Sequence, residues 1–187
     1  VASFCSNAHA MYIEDTNTWK ISGDPTEAAL EVFAKKIGFK DPAQESKRIF
    51  DLPFDYLTKY HLTIHEFEGK NFLTVVGAPE KILALSDRVW REKKSEKLSR
   101  EEKEELEAVF SDMSKQGLRV LAFAVNTDAP AIVTNGDLPP ITFGGFFAMK
   151  DPLREEAVQA IRDAHQAGIR VVMITGDHKI TAHAIAE

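Results

Sequence analysis

Cysteine is nearly absent. Cys5 is the only one in 187 residues, so no internal disulfide is available and the chain suits a reducing compartment. Basic excess is absent too: 23 Lys and Arg face 29 Asp and Glu, a net charge of -6. That balance argues against a general nucleic-acid binder, whose phosphate contacts need a basic face. No run approaches the roughly 18 apolar residues of a membrane span, and Val1 opens without a signal peptide's basic start. His9, His61, His65, His165, His178 and His183 show no convincing metal spacing. His61 and His65 would share one strand face, and their expected place is the surface or a half-buried position.

What is present fits an ordinary globular chain, with 44% hydrophobic and 28% charged residues, long enough for one sizeable core or for one domain and part of another. The sharpest local feature is Ile174-Thr175-Gly176-Asp177. An apolar run from Ile169 to Ile174 ends in a polar turn that leads into a helical pattern. In open α/β sheets that place, the carboxyl end of a buried strand, is where ligands bind. Gly176 permits close backbone approach to an anion, and Asp177 offers a hard oxygen suited to Mg²⁺. Any strand–turn–helix unit has the same outline, so the tripeptide alone leaves the matter open.

The remaining segments are read in order. A short strand is expected around Trp19 to Ile21. In GDPTEAAL, Asp24 caps, Pro25 takes the first helical position and Glu27 stands three residues after the cap. Leu30, Phe33, Ala34 and Ile37 then mark one buried helix face, and Gly38 stops it. Ile49–Leu52, Lys59–Phe67 and Asn71–Val76 alternate with period two and predict strands, the last two forming a hairpin. Pro79 begins a helix through Leu85 or beyond. Residues 91–104 read as a charged loop entering a helix capped by Ser99 and Glu102 and ended by Gly117. Arg119–Val125 is a strand, and residues 127–140, with three prolines, are a loop.

Beyond it, a strand (Ile141–Ala148), a helix (Leu153–Ala167), a strand (Ile169–Ile174) and a helix from Lys179 imply a parallel pair with a right-handed crossover. The expected fold is therefore α+β. An antiparallel sheet with packed helices over residues 1–140 precedes an incomplete α/β segment over residues 141–187, which has too few strands for a covered sheet of its own.

Several motifs now coincide in order, and the chain resembles the nucleotide-binding domain of P-type cation-transporting ATPases of the calcium- and sodium-pump branch. GDPTEAAL is similar to that family's G-D/E-P-T-E-x-A-L. Phe54 with Lys59 resembles F-x-x-x-x-K, Gly77-Ala78-Pro79-Glu80 the end of K-G-A-P-E, and Gly117 to Leu121 the G-x-R-V-L-A strand. Asp151-Pro152 with Arg154 resembles D-P-x-R. The run from Ala167-Gly168-Ile169 to Thr181-Ala182 resembles A-G-I-x-V-x-M-I-T-G-D-x-x-x-T-A.

The resemblance implies a domain inserted into a phosphorylation domain of haloacid-dehalogenase type, of which residues 141–187 would be part. It implies ATP as ligand and Mg²⁺ in the full-length enzyme. The other partners would be the remaining phosphorylation, actuator and membrane domains of the same polypeptide, with these residues on the cytoplasmic side of the membrane. The family's phosphorylated D-K-T-G-T segment and its G-D-G-x-N-D segment do not occur in these residues, so binding without formation of an aspartyl phosphate is expected here.

Residue roles follow from chemistry and resemblance together. Phe54 would stack on adenine, or else serve as a core residue at a strand end. Glu27 would accept from the exocyclic amine, or only cap its helix. Lys59 and Arg119 would face the nucleotide, Arg119 its phosphates, although a Lys or Arg on a strand is often a solvated edge. Gly77 and Ala78 would admit the base or ribose, or simply break the sheet. Thr175, Gly176 and Asp177 would meet the terminal phosphate and Mg²⁺, with Asp151 in a supporting role. Two departures bear on affinity: Val76 stands where the family has lysine, and Tyr56 where it often has arginine. They leave open a regulatory or structural module with weak or no ATP binding. A soluble phosphatase of the haloacid-dehalogenase type would need its own nucleophile near the start, and Asp15-Thr16 lacks the flanking pattern.

Overall fold

A computed structural model describes residues 4–39, 46–67, 69–92, 94–134, 137–150 and 155–174. Two sheets are built from them. β1 (His9–Ile13) and β2 (Thr18–Ser22) pair as an antiparallel hairpin. The larger sheet contains β3 (Lys47–Leu52), β4 (Tyr60–Phe67), β5 (Lys70–Gly77), β6 (Ser86–Arg91), β7 (Lys94–Lys97), β8 (Arg119–Asn126) and β9 (Ile141–Met149), in the order β3-β4-β5-β8-β9-β6-β7.

The period-two alternation of β4 explains how this sheet is buried on both sides. Tyr60, Leu62 and Ile64 point to one face and His61, Thr63 and His65 to the other, and all six are buried. On the first face the core gathers Leu62, Ile64, Leu73, Val75, Ala122 and Ala124 with Ile82 and Leu83 of α2 (Pro79–Leu85). Leu106 and Phe110 of α3 (Arg100–Lys115) close over that core. On the second face α1 (Pro25–Lys36) packs Leu30 and Ala34 against Cys5, Val76, Leu121, Phe123 and Phe147. The second face also holds polar groups. Thr63 and Thr74 hydroxyls lie 2.7 Å apart, and the Cys5 thiol is 3.0 Å from Thr74 Oγ1; burial pushes that thiol's pKa up.

The capping signals act as read, but of the four residues expected on the buried face of α1, Leu30 and Ala34 are buried while Phe33 and Ile37 are exposed. The Asp24 carboxylate accepts from the N–H groups of Thr26 (2.8 Å) and Glu27 (3.2 Å), with Pro25 at the first position. At α3, Ser99 and Glu102 form the reciprocal capping box, at 3.2 and 2.8 Å. The Ser99 N–H and Arg91 hold the Glu102 carboxyl below its ordinary range.

Three further features differ from the sequence reading. α2 stops at Leu85, and Ser86–Arg91 and Lys94–Lys97 are strands. Their charged, weakly alternating sequence hides a sheet edge, where one row of side chains stays in water. The sheet is not wholly antiparallel, because β6 runs parallel to β9. Finally, β9 is flanked on one side by β8 and on the other by β6. Both its edges are taken, so it cannot pair with Ile169–Ile174, which follow α4 (Glu155–Gln166) as exposed chain with no strand partner among the described residues. The expected helix from Lys179 lies outside the described residues.

Candidate functional site

β3 ends, β4 begins, β5 ends and β8 begins at one end of the large sheet, as the pairs Leu52↔Leu62, Tyr60↔Gly77, Gly77↔Ala122 and Arg119↔Met149 require. That end brings together Phe54, Lys59, Gly77, Ala78 and Arg119. Glu27 arrives there from the first turn of α1, because Arg119 donates from Nη1 to the hydroxyl of its neighbour Thr26 at 2.9 Å.

The loop between β3 and β4 is shaped by Asp55. Its Oδ1 accepts from the N–H groups of Leu57 (2.8 Å) and Thr58 (3.2 Å), and its carbonyl accepts from Lys59 N–H at 2.7 Å. The turn leaves Lys59 at φ +61, left-handed for a residue with a side chain, and its carbonyl accepts from Ala78 N–H at 2.9 Å. Phe54 is 49% exposed and meets Tyr56 edge-to-face, with ring centroids 5.5 Å apart. Phe54 therefore stands out of the core, as a stacking residue requires. The Lys59 ammonium lies 3.2 Å from Glu80 Oε1, with both side chains half-exposed.

Glu27 does not complete a capping box. Its Oε2 accepts from Asn7 N–H at 2.7 Å, and its Oε1 lies 3.5 Å from His61 Nδ1. His61 Nε2 is 2.8 Å from Asp51 Oδ1, Asp51 Oδ2 accepts from Arg48 at 3.0 Å, and Arg48 donates to Asn7 Oδ1 at 2.6 Å. The contacts close into a ring through α1, β4, β3 and the segment before β1. His61 and His65 are 4% and 5% exposed, so the expectation of surface or half-buried histidines is corrected. Burial first, and the Arg48 guanidinium second, push His65 down to about pKa 4. Asn7, Arg48, Asp51 and His61 were not assigned a site role from sequence; a histidine alternating with Leu62 and Ile64 on a strand covered on both sides was the available signal.

Val76 is buried beside Cys5, Leu30 and Ala34, and presents no cation. Tyr56 is 88% exposed. Asp151, Thr175, Gly176 and Asp177 lie outside the described residues. Among the described residues no cluster of His, Cys, Asp or Glu could hold a metal ion, and no helix is long and apolar enough to cross a membrane.

A mixed α+β domain, with one sheet end carrying an exposed aromatic, a carboxylate and two cations, is the class this geometry defines. The family model of the P-type ATPase cytoplasmic domain N matches residues 1–156. The chain is 38% identical over 172 residues to Calcium-transporting ATPase 1 of Lactococcus lactis, covering 90% of this chain and 20% of that protein. It is 38% identical over 174 residues to Cation-transporting ATPase pma1 of Synechocystis, covering 90% and 19%. To the sodium/potassium-transporting ATPase subunit alpha of Drosophila melanogaster it is 33% identical over 189 residues, covering 90% and 18%. This chain belongs to the P-type ATPase family, as its cytoplasmic domain N, and it spans about a fifth of the length of the curated relatives it matches.

Proposed function

We propose that this chain binds ATP at the sheet end described above and, within a cation-transporting P-type ATPase, presents it to an aspartate outside these residues. The observation that carries the reading is the meeting of Phe54, Lys59, Gly77 and Arg119 at one place, from segments far apart in sequence, with Glu27 joined to them through Thr26 and Arg119. Phe54 would stack on adenine, contributing about 1 to 3 kcal/mol. Glu27 would accept from the exocyclic amine. Arg119 has no carboxylate partner among the described residues, which leaves its fork available to phosphate oxygens. Lys59 would exchange Glu80 for phosphate, and giving up an exposed ion pair costs about 0 to 1 kcal/mol. Ala78 would border the base.

Thr175, Gly176 and Asp177 would meet the terminal phosphate and its Mg²⁺, with Asp151 in support, once the remaining phosphorylation, actuator and membrane domains of the polypeptide are in place. We place the junction with the phosphorylation domain after Met149 rather than at residue 140, since β9 lies inside the large sheet. A titration of the 187-residue chain with ATP, followed by amide chemical shifts, should perturb Glu27, Phe54, Lys59 and Arg119. Saturation with no change at these four would sink the assignment. A regulatory module that binds ATP weakly or not at all is the second reading, favoured by the buried Val76 in place of a cation, and the same titration returns weak or no binding for it.

A further inference from the structure

Little packing holds the loop that carries Phe54 and Lys59. Its tip residues Tyr56 and Leu57 are 88% and 90% exposed, and Phe54 is half-exposed. The shape of the loop comes from Asp55 instead. The carboxylate Oδ1 accepts from Leu57 N–H at 2.8 Å and from Thr58 N–H at 3.2 Å, and the Asp55 carbonyl accepts from Lys59 N–H at 2.7 Å. Residues 55–59 thereby close into a single turn. At its far end Lys59 takes φ +61, a conformation that glycine adopts freely and a lysine only at a cost. A long cationic side chain thus stands where the backbone alone would favour glycine. We propose that Asp55 is a positioning residue: the turn it closes holds Phe54 and Lys59 in a fixed relation, so that one ATP meets both.

The proposal rests on the ATP reading above. A ligand that touches a stacking ring and an ammonium gains fully from both only when the two are already disposed to receive it; a wandering loop must first be ordered, and that ordering costs affinity. Adenosine, which lacks phosphates, engages the Phe54 end alone and gains less from the turn. Asparagine and alanine separate shape from charge at residue 55. The Asn side-chain oxygen accepts the same two N–H groups, whereas Ala offers no acceptor, and neither bears the charge of the carboxylate.

The test measures ATP and adenosine binding by calorimetry on the 187-residue chain and its Asp55→Asn and Asp55→Ala variants, each checked for folding by urea denaturation. Asp55→Asn should bind ATP about five- to tenfold more tightly than Asp55→Ala, the cost of ordering the loop, and should bind adenosine more tightly by a smaller factor. A merely structural aspartate would shift the urea midpoint and leave the two variants with equal ATP affinity. That result would overturn the proposal, as would a factor for adenosine as large as that for ATP. Where Asp55→Ala does not fold, amide hydrogen exchange in wild type decides. Protection of the Leu57, Thr58 and Lys59 amides before ATP is added supports the role, and exchange at open-chain rates until ATP binds overturns it. Failure of wild type to bind ATP would overturn the nucleotide reading and this role with it, an outcome distinct from ATP binding that treats Asn and Ala at residue 55 alike.

Discussion

Gly77 and Lys59 meet backbone to backbone. A Cβ on Gly77 would press into the Lys59 carbonyl oxygen and would lie 2.7 Å from Tyr60 Cβ, while the same carbonyl accepts from Ala78 N–H at 2.9 Å. The glycine of the Gly-Ala-Pro-Glu motif is thus required by the crossing of β5 with the loop that carries Phe54. Gly77→Ala should destabilise the chain by about 1 to 3 kcal/mol, the usual range for overpacking, and should displace the Phe54–Lys59 loop. A urea midpoint equal to that of wild type would show that the loop yields freely.

His65 makes stability depend on pH. Its pKa is about 4 in the folded chain against 6.5 for the free side chain, so the unfolded chain binds the extra proton first as pH falls. The stabilisation is complete above about pH 6.5 and is lost progressively towards about pH 4, up to about 3 kcal/mol for a shift of this size. Denaturation of wild type and His65→Gln across that interval checks it: the variant should lose less on acidification. Parallel curves would place the acid sensitivity elsewhere.

Phe54→Ala separates folding from binding. The ring is half-exposed and touches Tyr56 rather than the core, so stability should stay within about 0.5 kcal/mol of wild type. ATP affinity should fall by about tenfold, the lower part of the range for lost base stacking. A large loss of stability with intact binding would return Phe54 to a packing role.

Nucleophilic catalysis requires the nucleophile. Residues 1–187 contain no D-K-T-G-T segment, and no phosphoenzyme or ATP turnover above background is expected from them. Incubation with labelled ATP and Mg²⁺, an acid quench and a phosphate-release assay test this. An acid-resistant, hydroxylamine-labile label would mean that Asp151, Asp177 or another carboxylate is the nucleophile.

The legible parts of the fold were those where local chemistry decides the outcome. Asp24-Pro25 and Ser99 with Glu102 fix two helix starts through bonds to their own first turns. The β4–β5 hairpin follows from alternation across a short turn. β6 and β7 were hidden because an edge pair owes its place to β9, some fifty residues later, rather than to its own pattern. Ile169–Ile174 misled for the reverse reason: an apolar run states that it needs a neighbour, not which one. The motifs nominated Phe54, Lys59, Gly77 and Arg119 as candidates, whereas the tie from Asn7 through Arg48 and Asp51 to His61 joins four segments and has no signature in any of them.

The place of β9 between β8 and β6 has a consequence for a chain emerging from the ribosome. Until residues 141–149 appear, β8 has an open edge and the β6–β7 hairpin has nothing to join. The sheet cannot grow steadily from its first strand to its last; β9 completes it by sliding into a waiting gap. A chain released after residue 140 would expose the hydrogen-bonding edge of β8, including Val120, Ala122 and Ala124, which are buried in the finished fold. Such an edge is a template for pairing between chains, so interrupted synthesis should yield a species that self-associates, and nine further residues should be enough to silence it.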